Sequence, residues 1–150
     1  MCNVFDVAKY ILKKQGAMST FKLQKLVYYS QAWSLVFEDK PLFKNEIFAW
    51  ANGPVCRDLY DKHKGSFDIT YDELKVGDSL KIKGSQKGTI DLVLKSYGGF
   101  SGQQLSNITH SENPWKKARE GLSLGERGEK VISLDSMVEY YSALYANQKK

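Results

Sequence analysis

The side chains to weigh first for chemistry are Cys56 and His63, because a thiol beside an imidazole is a nucleophile next to its base. If a helix begins at Pro54, Cys56 falls in its first turn, where free N–H groups and the helix dipole lower a thiol's pKa. His63 lies seven positions further along the same helix. At 1.5 Å per residue that is about 10 Å, beyond proton-transfer reach. His110 can approach only through tertiary folding, and a buried free cysteine otherwise behaves as a small apolar filler. Catalysis at Cys56 is therefore not expected.

Asp58 and Asp61 share a helix face, and Glu126 and Glu129 repeat the spacing in a glycine-rich stretch. Paired carboxylates can perform acid and base work. No HExxH, no DxDxDG and no close histidine pair accompanies them, so solvated surface charge is the simpler reading and no metal is expected. Gly98, Gly99 and Gly102 suggest a phosphate loop only superficially, since no GK[ST] follows; they read as a helix stop and a turn. From Ile90 to Arg119, a helix, a glycine-containing turn and a Ser-capped short helix match the opening of a helix-turn-helix. In that alternative reading, as a DNA-binding transcriptional regulator, Lys116, Lys117 and Arg119 contact nucleic acid. The basic cluster is small, however, and phosphate contacts dominate DNA affinity.

The elements that must hold these residues are mostly helical. Asn3 caps a first helix with Val4, Ala8, Ile11 and Leu12 on one face, stopped by Gly16. Ser19 or Thr20 caps a helix over residues 20–38, in which apolar residues fall on nearly every side; such a helix must be covered by neighbours all round. Gly53 and Pro54 read as the start of a third helix running to about Lys64. Leu80 and Ile82 alternate with lysines and predict a short strand, with Val131 and Ile132 as its partner. Helices follow at Ile90–Tyr97, after Ser101 and from Pro114. A last helix is capped by Ser133 or Asp135 and ends in a frayed Lys149, Lys150 tail. The fold class expected is mainly α: a compact single domain over residues 1–150, with six or seven helices around the central buried one and at most a short two-stranded β element.

Composition narrows the function classes. The chain has 150 residues, 42% of them hydrophobic, enough for one core without staples. Its longest uncharged apolar stretch, Leu26 to Phe37, is far short of the roughly 20 residues of a membrane span. The opening MCNVFDVAKY shows no export signal, and Cys2 and Cys56 are too few for a disulfide framework, so a cytoplasmic protein is expected. Net charge is +5, from 22 basic and 17 acidic side chains. Arginine occurs only at Arg57, Arg119 and Arg127, and a lysine-rich mixed surface does not itself argue for nucleic acid.

Four stretches taken together carry a resemblance: KLQKLVYYSQAW at 22–33, PLF and FAWANGPV between Pro41 and Val55, QLSNITHSENPW at 104–115, and the closing helix. They resemble the Panacea domain family, the SocA-like or phage-associated GepA-like antitoxins. Ser30 departs mildly from the small residue, often Ala, that the family pattern has there. The resemblance implies an antitoxin of a bacterial or phage toxin-antitoxin system, not an enzyme, that neutralises a cognate toxin protein by direct binding, with no cofactor and no small-molecule substrate. Candidate partner-binding residues are Tyr28, Leu35, Trp50, Asn52, Pro54, His110 and Trp115. Trp50, Pro54, His110 and Trp115 also have structural readings: Trp50 as core, Pro54 with Gly53 as a helix start, and His110 resting on Trp115.

Overall fold

The computed structural model describes residues 2–148. Among them, seven helices and two small antiparallel sheets surround one contiguous apolar core. The chain starts with α1 (Val4–Gln15), whose N-terminus is closed by a capping box between Asn3 and Asp6. β1 (Met18–Ser19) follows, then α2 (Thr20–Phe37), capped by Ser19. Next come β2 (Ile47–Trp50), β3 (Gly53–Cys56) and α3 (Arg57–His63). β4 (Asp68–Ile69) precedes α4 (Ser85–Tyr97), α5 (Gly102–His110), α6 (Asn113–Ala118) and α7 (Leu134–Gln148). The expected class, mainly α around a central helix, is the one observed. The Lys149, Lys150 tail lies outside the described residues.

α2 is the axis of the molecule. Every residue from Leu23 to Leu35 is buried, with α1, α4, α5, α7 and β3 packed against the helix. Buried polar groups must find partners, and those of α2 do. Ser30 Oγ donates to the Leu26 carbonyl at 2.8 Å, and Ser34 Oγ to that of Lys40 at 2.8 Å. The Gln31 amide grips the irregular segment before β2: its Oε1 accepts from Leu42 N at 2.8 Å and Phe43 N at 3.3 Å, while its Nε2 donates to the Phe43 carbonyl at 2.8 Å.

Three local expectations are corrected. Gly53 and Pro54 do not open α3; they belong to β3, which pairs with β2 in the register Ile47↔Cys56 to Trp50↔Gly53. Gly53 has φ +127°, outside the helical range and suited to glycine at the exit of a tight hairpin turn, so Cys56, not Gly53, precedes the helix. Leu80–Ile82 is not a strand. Asp78 accepts from Leu80 N and starts a 3-10 turn at Ser79–Lys81, so the expected pairing with Val131 and Ile132 does not form. Val131 instead bridges Phe48, and Lys130 and Ile132 complete the outer edge of β2 through bonds of 2.8 and 2.7 Å. Finally, α4 begins at Ser85, a turn and a half before Ile90. A second sheet, pairing Met18 with Ile69, joins segments with no sequence signal in common.

Candidate functional site

The β2–β3 hairpin is held by side chains from three helices, each directed at a different backbone carbonyl. Arg119 Nη1, just after α6, donates to Ala49 O at 3.1 Å; Trp115 Nε1, from α6, to Trp50 O at 2.8 Å; Ser106 Oγ, from α5, to Asn52 O at 2.6 Å. His110 Nε2 of α5 lies 3.5 Å from the same Ser106 hydroxyl. From α2, Lys25 Nζ donates to Pro54 O at 3.2 Å. Gln24 grips both backbone groups of Cys56: its Oε1 accepts from Cys56 N at 2.8 Å and its Nε2 donates to Cys56 O at 3.2 Å. The inner edge of β3 is thereby paired with side-chain amide and ammonium groups in place of another strand, which is how a hairpin of two four-residue strands is kept in a fixed pose.

This hairpin forms one wall of a cleft of about 690 Å³. Phe21 and Gln24 of α2, Trp50 and Val55 of the hairpin and Tyr60 and His63 of α3 line its interior. The segment with Gly125, Arg127, Gly128 and Glu129 closes the opposite side. Trp50 meets Tyr60 edge to face at 5.0 Å between centroids. Glu129 is shared between Arg57 at 3.8 Å and Arg127 at 3.5 Å, with all three side chains about half exposed or more. Burial depresses the pKa of His63, and Lys25 depresses it further. Lys25 itself is completely enclosed, and its desolvation lowers the ammonium pKa to about 7.

The residues expected from sequence fall into two groups. Trp50 lines the cleft and Asn52 is exposed at the hairpin tip beside it. His110 is half-buried and stacks on Trp115 at 4.0 Å and 14°, as its structural reading had it. Pro54 and Trp115 are buried supports of the hairpin. Tyr28 and Leu35 are not surface residues at all: Tyr28 is 1% exposed, with its hydroxyl 2.9 Å from that of Tyr141, and Leu35 packs in the core. α2 is covered on every side, so neither can touch a partner from where it stands.

The basic cluster of the DNA-binding alternative does not form one exposed face. Arg119 is buried, its guanidinium spread over the carbonyls of Ala49, Ser123 and Glu126. Only Lys116 and Lys117 are exposed, on a helix of six residues. Cys56 is buried at the start of α3, and burial pushes its thiol up to about 11, the reverse of activation. Asp58 accepts from Asn45 at 2.8 Å in an exposed position, Asp61 is exposed, and Glu126 accepts from Ser123 N at 3.0 Å. Gly98 ends α4 with its carbonyl taken by Gln15 and Lys22, and Gly102 lets α5 approach Phe21 and Lys22, so neither forms a phosphate loop.

Sequence reasoning missed Gln24, Lys25, Ser106 and Glu112. Their signal was polarity at positions where the helix must be buried: Gln24 and Lys25 stand in an element apolar nearly all round, and a buried polar side chain implies a definite partner. Glu112 likewise accepts from Tyr29 at 2.7 Å and Tyr141 at 2.8 Å beneath α6.

The family model described as antitoxin SocA-like, Panacea domain, matches residues 23–116. No curated protein and no solved structure matches the chain. The matched span runs from Leu23 on α2 to Lys116 on α6 and so takes in the hairpin and most of the side chains that hold it.

Proposed function

The chain belongs to the Panacea domain family of SocA-like antitoxins, and from that membership we propose that it is the antitoxin of a bacterial or phage toxin-antitoxin system, neutralising a cognate toxin protein by direct binding in the cytoplasm. The observation that carries this reading is the antitoxin family match over residues 23–116. No helix of the described residues is long and apolar enough to cross a membrane, which agrees with action on a protein in solution. The contact surface we assign is the cleft and the hairpin tip next to it. Interface anchors favour Trp, Tyr and Arg, and this cleft carries Trp50, Tyr60, Arg57 and Arg127 around an apolar interior. Its volume lies within the range of ligand pockets, about 300 to 1,000 Å³, and suits a few inserted side chains of a partner. The proposed mechanism is occlusion: a toxin segment enters the cleft, covers Trp50 and Tyr60 and is held at the rim by the arginines, without a covalent step.

Co-expression with the product of the adjacent gene tests the proposal. The expected result is rescue of growth and a copurified complex. Asn52→Arg at the exposed tip should weaken that complex at least tenfold with an unchanged melting temperature. Absence of both rescue and complex rejects the antitoxin role for that pair; a full-strength complex with Asn52→Arg rejects the hairpin tip as the contact.

A further inference from the structure

His63 closes the inner end of the cleft, and its protonation state is dictated by the groups around it. The orientation of the Gln24 amide follows from Cys56: Oε1 must face the Cys56 N–H and Nε2 must face the Cys56 carbonyl. A flipped amide would set N–H against N–H and oxygen against oxygen. Gln24 Nε2 has a second hydrogen, and 2.9 Å from that nitrogen lies His63 Nε2. His63 Nε2 must therefore accept, which leaves the ring proton on Nδ1.

We infer that His63 and Gln24 form an acid-sensitive latch in the wall of the cleft: a proton taken from solvent onto His63 Nε2 breaks the Gln24 grip on Cys56 and frees the junction of β3 and α3. Among the described residues His63 Nε2 is the only acceptor offered to that Gln24 hydrogen, and protonation turns it into a donor, so two N–H groups confront each other in a buried site. Relief requires either the ring to leave or the amide to turn, and turning the amide destroys both bonds to Cys56.

The charged neighbours do not cushion the change. Lys25 on α2 opposes a second positive charge, and Tyr60 presents only its ring, 5.5 Å away. From α1, Asp6 is engaged with the backbone N–H groups of Asn3 and Asp78, and Lys9 with the Tyr71 carbonyl. The Cys56 thiol is neutral, Asp61 and Lys62 are exposed on α3 and Lys64 just after it, and Glu129 is held by Arg57 and Arg127 across the cleft. The latch rests on hydrogen-bond polarity alone and stands whether or not a toxin uses the cleft.

Imidazole nitrogen shifts of the full-length 15N-labelled chain, followed from pH 7.5 to 4.5 beside amide hydrogen exchange, provide the test. His63 should be a neutral Nδ1–H tautomer at pH 7.5 and titrate below its ordinary range. The protection factor of the Cys56 amide should fall at least tenfold with the same midpoint, while that of Phe43, held by Gln31, stays constant. Gln24→Glu, which offers oxygen to the ring, should raise the His63 midpoint, and His63→Phe should abolish the acid loss of Cys56 protection. An Nε2–H tautomer at pH 7.5, or titration of His63 without any change at Cys56, overturns the inference; both are read from the unaltered protein and depend on no variant folding.

Discussion

The ammonium nitrogen of Lys25 lies 3.2 Å from the carbonyl oxygen of Pro54, in the interior and beneath the turn that carries Asn52. The ring of Phe21 is 4.1 Å from the same nitrogen, and among the described residues no carboxylate comes within ion-pairing distance. One carbonyl and one aromatic face are a thin replacement for water around a full charge.

Stability should for that reason rise with pH just above neutrality. The folded pKa of Lys25, about 7, lies below that of the unfolded chain. Between the two values the unfolded state binds more protons, so ΔG of unfolding increases as pH climbs from 7. Above about pH 9 the thiol of Cys56, which burial keeps protonated in the fold, opposes the trend. Urea midpoints should rise from pH 7 to 9 in the native chain and stay flat in Lys25→Met. A flat native profile would contradict an enclosed, titrating ammonium.

Gly53→Ala should be among the most damaging single-methyl changes available. The added Cβ would stand 2.6 Å from Lys25 Cε and 3.3 Å from Thr109 Oγ1, at a φ of +127°. The expected cost is about 2 to 4 kcal/mol by denaturant unfolding, from strain and overpacking together. Shortening the neighbour in Lys25→Ala/Gly53→Ala should recover the packing part only, leaving the backbone part of about 1 to 2 kcal/mol.

Gln31→Leu tests whether the segment before β2 depends on a side chain of α2. Its amide serves the N–H groups of Leu42 and Phe43 and the Phe43 carbonyl. Leaving three backbone groups without partners should cost about 2 to 4 kcal/mol, and hydrogen exchange at Leu42 and Phe43 should accelerate more than exchange at Cys56.

Glu112 sets an opposite pH signature. Burial raises its carboxyl pKa, against the lowering effect of the Tyr29 and Tyr141 hydroxyls. A carboxyl pKa raised in the fold means that stability is fully present below the unfolded value, about 4.3, and falls as pH rises through the folded one. Both hydroxyls address the same Oε1, so Glu112→Gln can keep both bonds and should remove this slope, measured as thermal midpoints from pH 4.5 to 7. Glu112→Ala should lower stability at every pH by about 2 to 4 kcal/mol, because two buried hydroxyls lose their acceptor.

Local chemistry made a large part of the architecture legible. Asn3, Ser19 and Ser101 accept from the N3 amides of α1, α2 and α5, and Ser133 from Ser136 N at the start of α7. The all-round apolar character of residues 20–38 correctly identified the helix that everything else covers. The stacking of His110 on Trp115 was within reach too, because those residues are only a turn apart. Gly53 and Pro54 suit a helix start and a hairpin exit equally well, and the choice depends on β2 pairing across the turn.

From sequence alone came the helices, their caps, the identity of the buried axis and the family resemblance, because each is written in residues that are neighbours along the chain or repeat with its period. Tertiary structure alone decided which polar residues matter. Gln24, Lys25, Ser106, Trp115 and Arg119 acquire their roles from carbonyls and amides 29 to 70 positions away. The backbone carries the same N–H and C=O at nearly every residue, so nothing in a side-chain pattern says which of them a buried amide or guanidinium will meet; only the packing of α2, α5 and α6 around the hairpin does.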